Sequence, residues 1–196
     1  MSPAFRKFVL IVHLTSSLGW VGAVFAYSAL GVAAATRQDL QTVRGAWIAM
    51  ELTGWFVIVP LAAIALLTGV VISLGTPWGL FRHYWVLISL ALTILATVIL
   101  LLHMPSVSGT ATIARGSDDA QLRQLGGDLG HAVGGLVVLL VVTVLNVYKP
   151  QGLTPYGWRR QDESRTRSAV RSRYGRLARG LQSGLRNSDS GQVPLI

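Results

Sequence analysis

The chain has 196 residues, of which 52% are hydrophobic and 13% are charged. Soluble domains carry roughly a quarter charged residues, so this composition indicates an integral membrane protein. The chain has no cysteine. That excludes disulfides, thiolate metal sites, iron–sulfur clusters and covalently attached c-type haem, and it leaves histidine, methionine and carboxylates as ligands.

The net charge of +9 is localised at the C-terminal end. Residues 1–150 carry eight basic and five acidic side chains, a net charge of +3, and residues 151–196 carry nine and three, a net charge of +6. The basic character therefore belongs to a tail and does not indicate a nucleic-acid-binding fold. No P-loop, glycine fingerprint or nucleophile–base pair is present to predict a hydrolase.

The first two helices are predicted over residues 8–36 and 47–74, with a polar loop at 37–44 between them. The first run has no charged residue and is about twice as long as the apolar core of a signal peptide, so it is interpreted as a membrane span. Pro60 lies inside the second helix and predicts a kink, because proline removes a backbone hydrogen bond.

The third helix is predicted over residues 84–104, where Val86–Leu102 is a run of seventeen residues without charge. Pro105 is expected to end it, and residues 106–130 form the longest polar loop. The fourth helix is predicted over 131–148. Each of the four helices is long enough to cross a bilayer once.

The predicted fold is therefore all-α, a transmembrane four-helix bundle with both termini on the same side. Basic residues collect on that side at Arg6, Lys7, Arg82 and Lys149, as well as in the tail. The positive-inside rule then places both termini in the cytoplasm of a multi-pass plasma-membrane protein.

The tail, residues 151–196, has two interpretations. Apolar residues recur at spacings of four, three, four and four between arginines, at Val170, Tyr174, Leu177, Leu181 and Leu185. This pattern is typical of a basic amphipathic helix on anionic lipid headgroups. The alternative is a disordered, solvated tail.

Small residues in the spans also allow close packing with a second copy of the chain, as a homo-oligomer, or with a partner within a membrane complex.

The four histidines lie within or at the ends of the predicted spans and form two pairs by depth. His13 and His83 lie toward the predicted cytoplasmic side, and His103 and His131 lie toward the outer side. Two histidines on different helices at one depth are what axial ligation of a b-type haem requires. The leading hypothesis is therefore membrane electron transfer through haem b, with no other enzymatic activity predicted. The outer pair matches better in depth than the inner pair, whose members differ by about 7–8 Å along the helix axes.

Two other classes of function stay open. Glu51, Met104 and Asp128 are predicted near His103 and His131, and this set could hold copper or, without the methionine, zinc, for binding or transport. Alternatively, the histidines are interfacial polar residues that bond to headgroups, loop carbonyls or Glu51. The protein would then be a structural or assembly subunit without a cofactor.

Three segments carry a resemblance to known proteins: residues 13–22 (HLTSSLGWVG), 76–85 (TPWGLFRHYW) and 146–150 (NVYKP). In these segments the chain resembles a bacterial family of predicted integral membrane proteins of unknown function. More distantly it is similar to the copper-resistance CopD type of membrane domain. The resemblance covers about residues 5–150 and implies a small helical bundle with histidines near the helix starts. It implies no particular reaction.

Overall fold

A computed structural model of the chain describes residues 2–75, 83–116, 125 and 128–150, together with individual residues between 152 and 179. Internal packing divides the chain into two units, Met1–Gly152 and Leu153–Ile196. The segment between the second and third predicted helices, residues 76–82, lies outside the described residues. So do residues 117–124 and 126–127 of the predicted polar loop and three leucines of the tail pattern, Leu177, Leu181 and Leu185.

The first unit is built from helices, and the part of the chain that the structure describes has no β-strand. In chain order the elements are α1 Pro3–Thr36, α2 Leu40–Thr53, a π-helical segment Gly54–Ile58, α3 Val59–Gly75, α4 Tyr84–Gly116 and α5 Leu129–Tyr148. The predicted all-α fold is confirmed.

Four helical segments of the described chain are long and apolar enough to cross a membrane: α1, the continuous stretch Leu40–Gly75, α4 and α5. Their most apolar windows have mean hydropathies of 1.8 to 2.7, and at most 22% of each window is buried inside the protein. The outward surface carries large apolar side chains such as Phe56 and Leu102, which are 75% and 76% exposed. A protein of this kind needs lipid around it, and the chain is an integral membrane protein.

The second span begins earlier than the sequence predicted. Asp39 is the N-cap of α2, and its carboxylate accepts hydrogen bonds from the backbone N–H groups of Gln41 and Thr42. The predicted polar loop at 37–44 is therefore wrong, because this cap starts a helix at Leu40. The hydrogen bonds from the Thr42 side chain and backbone hold the pKa of the Asp39 carboxyl below its ordinary value.

The irregularity predicted from Pro60 takes the form of the π-helical segment that precedes it. The Val59 N–H bonds to the Gly54 carbonyl, five residues back. Pro60 offers no N–H and its ring crowds the carbonyl four residues before it, and a wider turn relieves both problems. The segment also brings Gly54 against α4: a Cβ at this position would lie only 2.5 Å from Cε of Met104.

Helix α4 does not end at residue 104 as predicted, but continues through Pro105 to Gly116. Three residues beyond the proline are fully or almost fully buried and lie on one face of the helix: Val107, Ala111 and Ala114. Burial of this face, of which Val107 and Ala114 belong to the hydrophobic core of the bundle, outweighs the single backbone hydrogen bond that Pro105 removes. With 33 residues α4 is about 50 Å long and exceeds the roughly 30 Å hydrocarbon core. His103 is thus an interior residue of a helix.

The bundle places α1 and α4 each between the broken second span and α5. Helix α1 packs against α2, α3 and α5, and α4 packs against the same three helices. The buried core follows from this arrangement and includes Trp20, Tyr27, Met50, Met104 and Leu139. The N-terminal end of α5 is thereby inserted between α1 and α4, which positions the candidate site.

The second unit contains the basic tail. Its described residues from 155 to 179 are helical, and the Trp158 N–H bonds to the Thr154 carbonyl at 2.9 Å. Val170 and Tyr174, two members of the predicted apolar pattern, are exposed. Contact of the tail with anionic lipid stays a prediction.

Candidate functional site

Asp128 is the residue on which the site is built. It occupies the N-cap position of α5, but its carboxylate makes no capping bond to that helix. Instead, Oδ2 accepts a hydrogen bond from the Tyr27 hydroxyl at 2.8 Å and lies 2.6 Å from Nε2 of His103. Its side chain is only 8% exposed. A helix N-terminus favours a negative charge, so α5 stabilises this buried carboxylate. Its Oδ2 atom is bonded to side chains of α1 and α4.

His131, in the first turn of α5, completes a cluster of three ligand-bearing groups. Its Nδ1 lies 3.4 Å from Oδ1 of Asp128. One ligand atom from each of His103, Asp128 and His131 lies within 4.8 Å of the other two. The side chain of His131 is 57% exposed, whereas that of His103 is 18% exposed. The cluster is therefore held from inside the bundle and is open on the His131 side.

The two imidazole rings of this cluster are stacked face to face. Their centroids lie 3.7 Å apart and their planes are inclined by 15°. The structure thus brings together His103 and His131, the outer pair of the sequence analysis. Rings in face-to-face contact leave no space for another flat molecule between them. Binding of any cofactor by this pair stays a prediction.

Tyr27 is a member of the site that the sequence analysis did not select. It is buried in α1 and binds Asp128, which is 101 residues away along the chain. It shares a face of α1 with His13 and Trp20, at offsets of fourteen and seven residues. This periodicity is typical of a helix face that points into a bundle, but no local signal identifies the carboxylate that Tyr27 contacts.

The structure does not bring Glu51, a predicted metal ligand, into the cluster. Its carboxylate forms an ion pair with Arg115 of α4 instead. Met104, the other predicted ligand, is almost completely buried and its thioether packs against Gly54. It also lines the cavity described below. Of the predicted set, His103, Asp128 and His131 lie within reach of one ion, and Met104 as a ligand stays a prediction.

The predicted inner pair contacts different parts of the protein. In α1, Nδ1 of His13 lies 3.1 Å from the Ala65 carbonyl and 3.0 Å from the Thr68 hydroxyl oxygen of α3. Both partners belong to α3, so these contacts anchor the polar ring to that helix within the span. His83 precedes α4, and its ring centroid is 6.3 Å from that of Trp85. The role of these two histidines in haem binding stays a prediction.

A cavity of about 310 Å³ extends from the cluster into the bundle between α1, α4 and α5. Its polar end is formed by Tyr27, His103, Asp128 and His131. The rest of the wall is apolar and is contributed by all three helices. Two residues of its α4 wall, Leu95 and Ile99, are also about half exposed. The cavity therefore lies next to the surface that faces lipid.

Comparison with known proteins gives no assignment: no family model, no curated protein and no solved structure matches the chain. The function is therefore argued from the geometry of the site.

Proposed function

We propose that the protein binds a divalent transition-metal ion, zinc or copper, through His103, Asp128 and His131. The observation that carries the proposal is the convergence of two imidazoles and one carboxylate within 4.8 Å. Imidazole and carboxylate are ligands that both ions accept. Three protein ligands leave at least one position of the ion for water or another molecule.

The distances within the cluster support an ion of this size. Ligands that lie about 2.0–2.2 Å from a tetrahedral ion are about 3.4 Å from each other. His131 Nδ1 and Asp128 Oδ1 already have this separation, at 3.4 Å. The contact of 2.6 Å between His103 and Asp128 is a hydrogen bond. An ion that replaces its proton would separate these two atoms by about 0.8 Å, which a small rotation of the carboxylate supplies.

Tyr27 supports the same proposal from outside the ligand set. Its hydroxyl donates to Asp128 at 2.8 Å and fixes the orientation of the carboxylate. Residues that orient metal ligands in this way commonly change metal affinity by 10–100-fold when they are replaced. The exposed face of His131 gives the ion a route to the cluster. By the charge pattern of the chain, this end of the bundle faces the outer compartment.

Metal content of the purified protein tests the proposal. The protein is stripped with EDTA in detergent, equilibrated with Zn²⁺ or Cu²⁺, and analysed for metal per chain. We expect about one ion per chain, and at least a tenfold loss of affinity in His131→Ala and in Asp128→Asn. His83→Ala is the matched control and is expected to bind like the wild type. Wild-type binding by His131→Ala, or no binding by the stripped wild-type protein, would contradict the proposal.

Electron transfer through b-type haem is the second proposal, and the meeting of His103 with His131 is the observation that favours it. Both proposals require the stacked rings to move, because an ion held by both imidazoles lies in the plane of each ring and these nearly parallel rings would have to tilt toward it. Axial ligation requires each imidazole to point a nitrogen at the iron from opposite sides of a macrocycle, so both rings would have to rotate and separate. A reduced-minus-oxidised visible spectrum distinguishes the two proposals, since zinc or copper at this site gives no haem bands.

A further inference from the structure

We propose that the cavity beside the cluster binds the ring of a membrane-dissolved quinone or quinol. This inference goes beyond the proposed metal site, because it concerns the apolar chamber that the cluster closes at one end. Helices α1, α4 and α5 supply the walls, including Trp20, Ala96, Ile99 and Leu139. A chamber with apolar walls and a few polar groups at one end is the usual form of a small-molecule site.

The size of the cavity limits the ligand to a small ring system. At about 310 Å³ it is at the lower end of the range for ligand pockets, roughly 300–1,000 Å³. One ring or two fused rings fit such a volume, whereas a macrocycle does not. Two aromatic side chains, Trp20 and Tyr27, line the cavity and can stack against a flat ring.

The position of the cavity indicates that its ligand comes from the bilayer. Leu95 and Ile99 belong to its wall and to a membrane span, and they are 52% and 47% exposed, so the cavity is not closed off from the surroundings of the bundle. Gly134 of α5, on the opposite wall, is also exposed, and a Cβ placed there would meet open space. A ligand with an apolar chain can thus place its ring in the cavity while its chain stays among the lipid tails.

The charge at the polar end selects the headgroup. The buried carboxylate of Asp128 would repel the phosphate of a phospholipid and the carboxylate of a fatty acid. A neutral quinone has carbonyl oxygens that accept hydrogen bonds from an imidazole N–H, and a quinol has hydroxyls that donate to a carboxylate. The cluster presents both kinds of partner, in His131 and Asp128. Among membrane amphiphiles, a neutral ring with oxygens at its edge fits best.

Tryptophan fluorescence of the full chain in detergent gives a direct test. Quinones quench tryptophan on contact, and Trp20 is the tryptophan in the cavity wall. The probe is a benzoquinone with one isoprene unit, and a two-ring naphthoquinone is titrated in parallel. All titrations are run in EDTA, so that binding does not depend on a metal ion. We expect saturable quenching in the wild type, and loss of the saturable component in Trp20→Phe.

A pair of substitutions on α4 separates the cavity from the surface. Ala96 lines the cavity, and Ala96→Leu fills part of it, whereas Ala91 is exposed on the same helix and Ala91→Leu changes only the lipid-facing surface. We expect at least tenfold weaker quinone binding in Ala96→Leu and wild-type binding in Ala91→Leu. Equal binding by both variants, or quenching that never saturates in any of them, would overturn the inference.

Two further readouts complete the test. Displacement of the quinone by oleate or by an anionic phospholipid at equal mole fraction would overturn the assignment of the headgroup. Metal content is measured in every variant, and Ala96→Leu is expected to keep its ion. A protein that binds quinone in EDTA but no metal would refute the proposed function alone, and one that binds metal but no quinone would refute this inference alone.

Discussion

Replacement of Asp128 by alanine should destabilise the bundle, because two hydrogen-bond donors would lose their acceptor. The carboxylate accepts hydrogen bonds from Tyr27 and His103, at 2.8 and 2.6 Å. Both donors lie mostly inside the protein, with Tyr27 6% exposed. Leaving a buried donor without a partner costs about 1–3 kcal/mol. Because two donors lose their acceptor, we expect Asp128→Ala to lower the free energy of unfolding by about 2–6 kcal/mol.

A double-mutant cycle with Tyr27→Phe isolates the bond between α1 and α5. In the wild-type background, Tyr27→Phe removes one hydrogen bond to a carboxylate and should cost about 1.5–3 kcal/mol. In the Asp128→Ala background, the same change removes a hydroxyl that already lacks its acceptor, and it should be neutral or stabilising. The expected coupling energy is thus about 1.5–3 kcal/mol.

Reversible unfolding of the detergent-solubilised protein in SDS, followed by circular dichroism, measures these values. Asn146→Ala is the control on α5, because that side chain is exposed and bonds to the Val142 carbonyl of its own helix. We expect it to change the free energy of unfolding by less than about 0.5 kcal/mol. Additive effects of the Tyr27 and Asp128 substitutions, or a cost below about 0.5 kcal/mol for Asp128→Ala, would refute the assigned contacts.

Three further predictions concern residues outside the cluster. Glu51→Gln removes a partly exposed ion pair with Arg115, so it should lower the free energy of unfolding by less than about 1 kcal/mol in the same SDS assay. The metal content should stay unchanged, and a loss of metal would show that Glu51 is a metal ligand. Thr68→Val removes one of the two partners of His13 and should lower the free energy of unfolding by about 0.6 kcal/mol without loss of metal. A decrease of more than about 2 kcal/mol would show that the Ala65 carbonyl does not hold the ring. The pKa of Asp39 is lowered by folding, so its cap stabilises α2 above the ordinary carboxyl value of 3.8 and this stabilisation is lost as the pH falls through the lowered value. Amide NMR shifts from the first turn of α2 should report this loss, and an Asp39→Asn variant should show no such transition.

The existence of four spans could be predicted from the sequence, but the end of α4 could not. Runs without charge, such as Val86–Leu102, leave the bilayer as the only favourable environment for the segment. The end of α4 was predicted from Pro105, a local signal. The burial of Val107, Ala111 and Ala114 against another helix overrides that signal, and such packing is not visible in a local pattern. The start of α2 was visible in principle, since Asp39 is a typical N-cap residue.

The candidate site could be predicted in part. His103 and His131 were selected as a pair at one depth on different helices, and Asp128 because it precedes His131 by three residues. Glu51 was grouped with them because its predicted depth was similar. Depth in the membrane alone does not determine which side chains are in contact. The partner of Glu51, Arg115, lies in the segment that was predicted as a loop. Tyr27 was missed for the same reason, because its partner is 101 residues away.

X-ray absorption spectroscopy at the metal edge of the zinc-loaded protein tests the central claim most directly. The proposed site predicts scattering from two imidazole rings and one or more oxygen ligands at about 2.0–2.2 Å. The imidazole contribution should fall to one ring in His131→Ala. A spectrum with oxygen ligands alone, or one that His131→Ala leaves unchanged, would contradict the assignment of His103, Asp128 and His131 as a metal site.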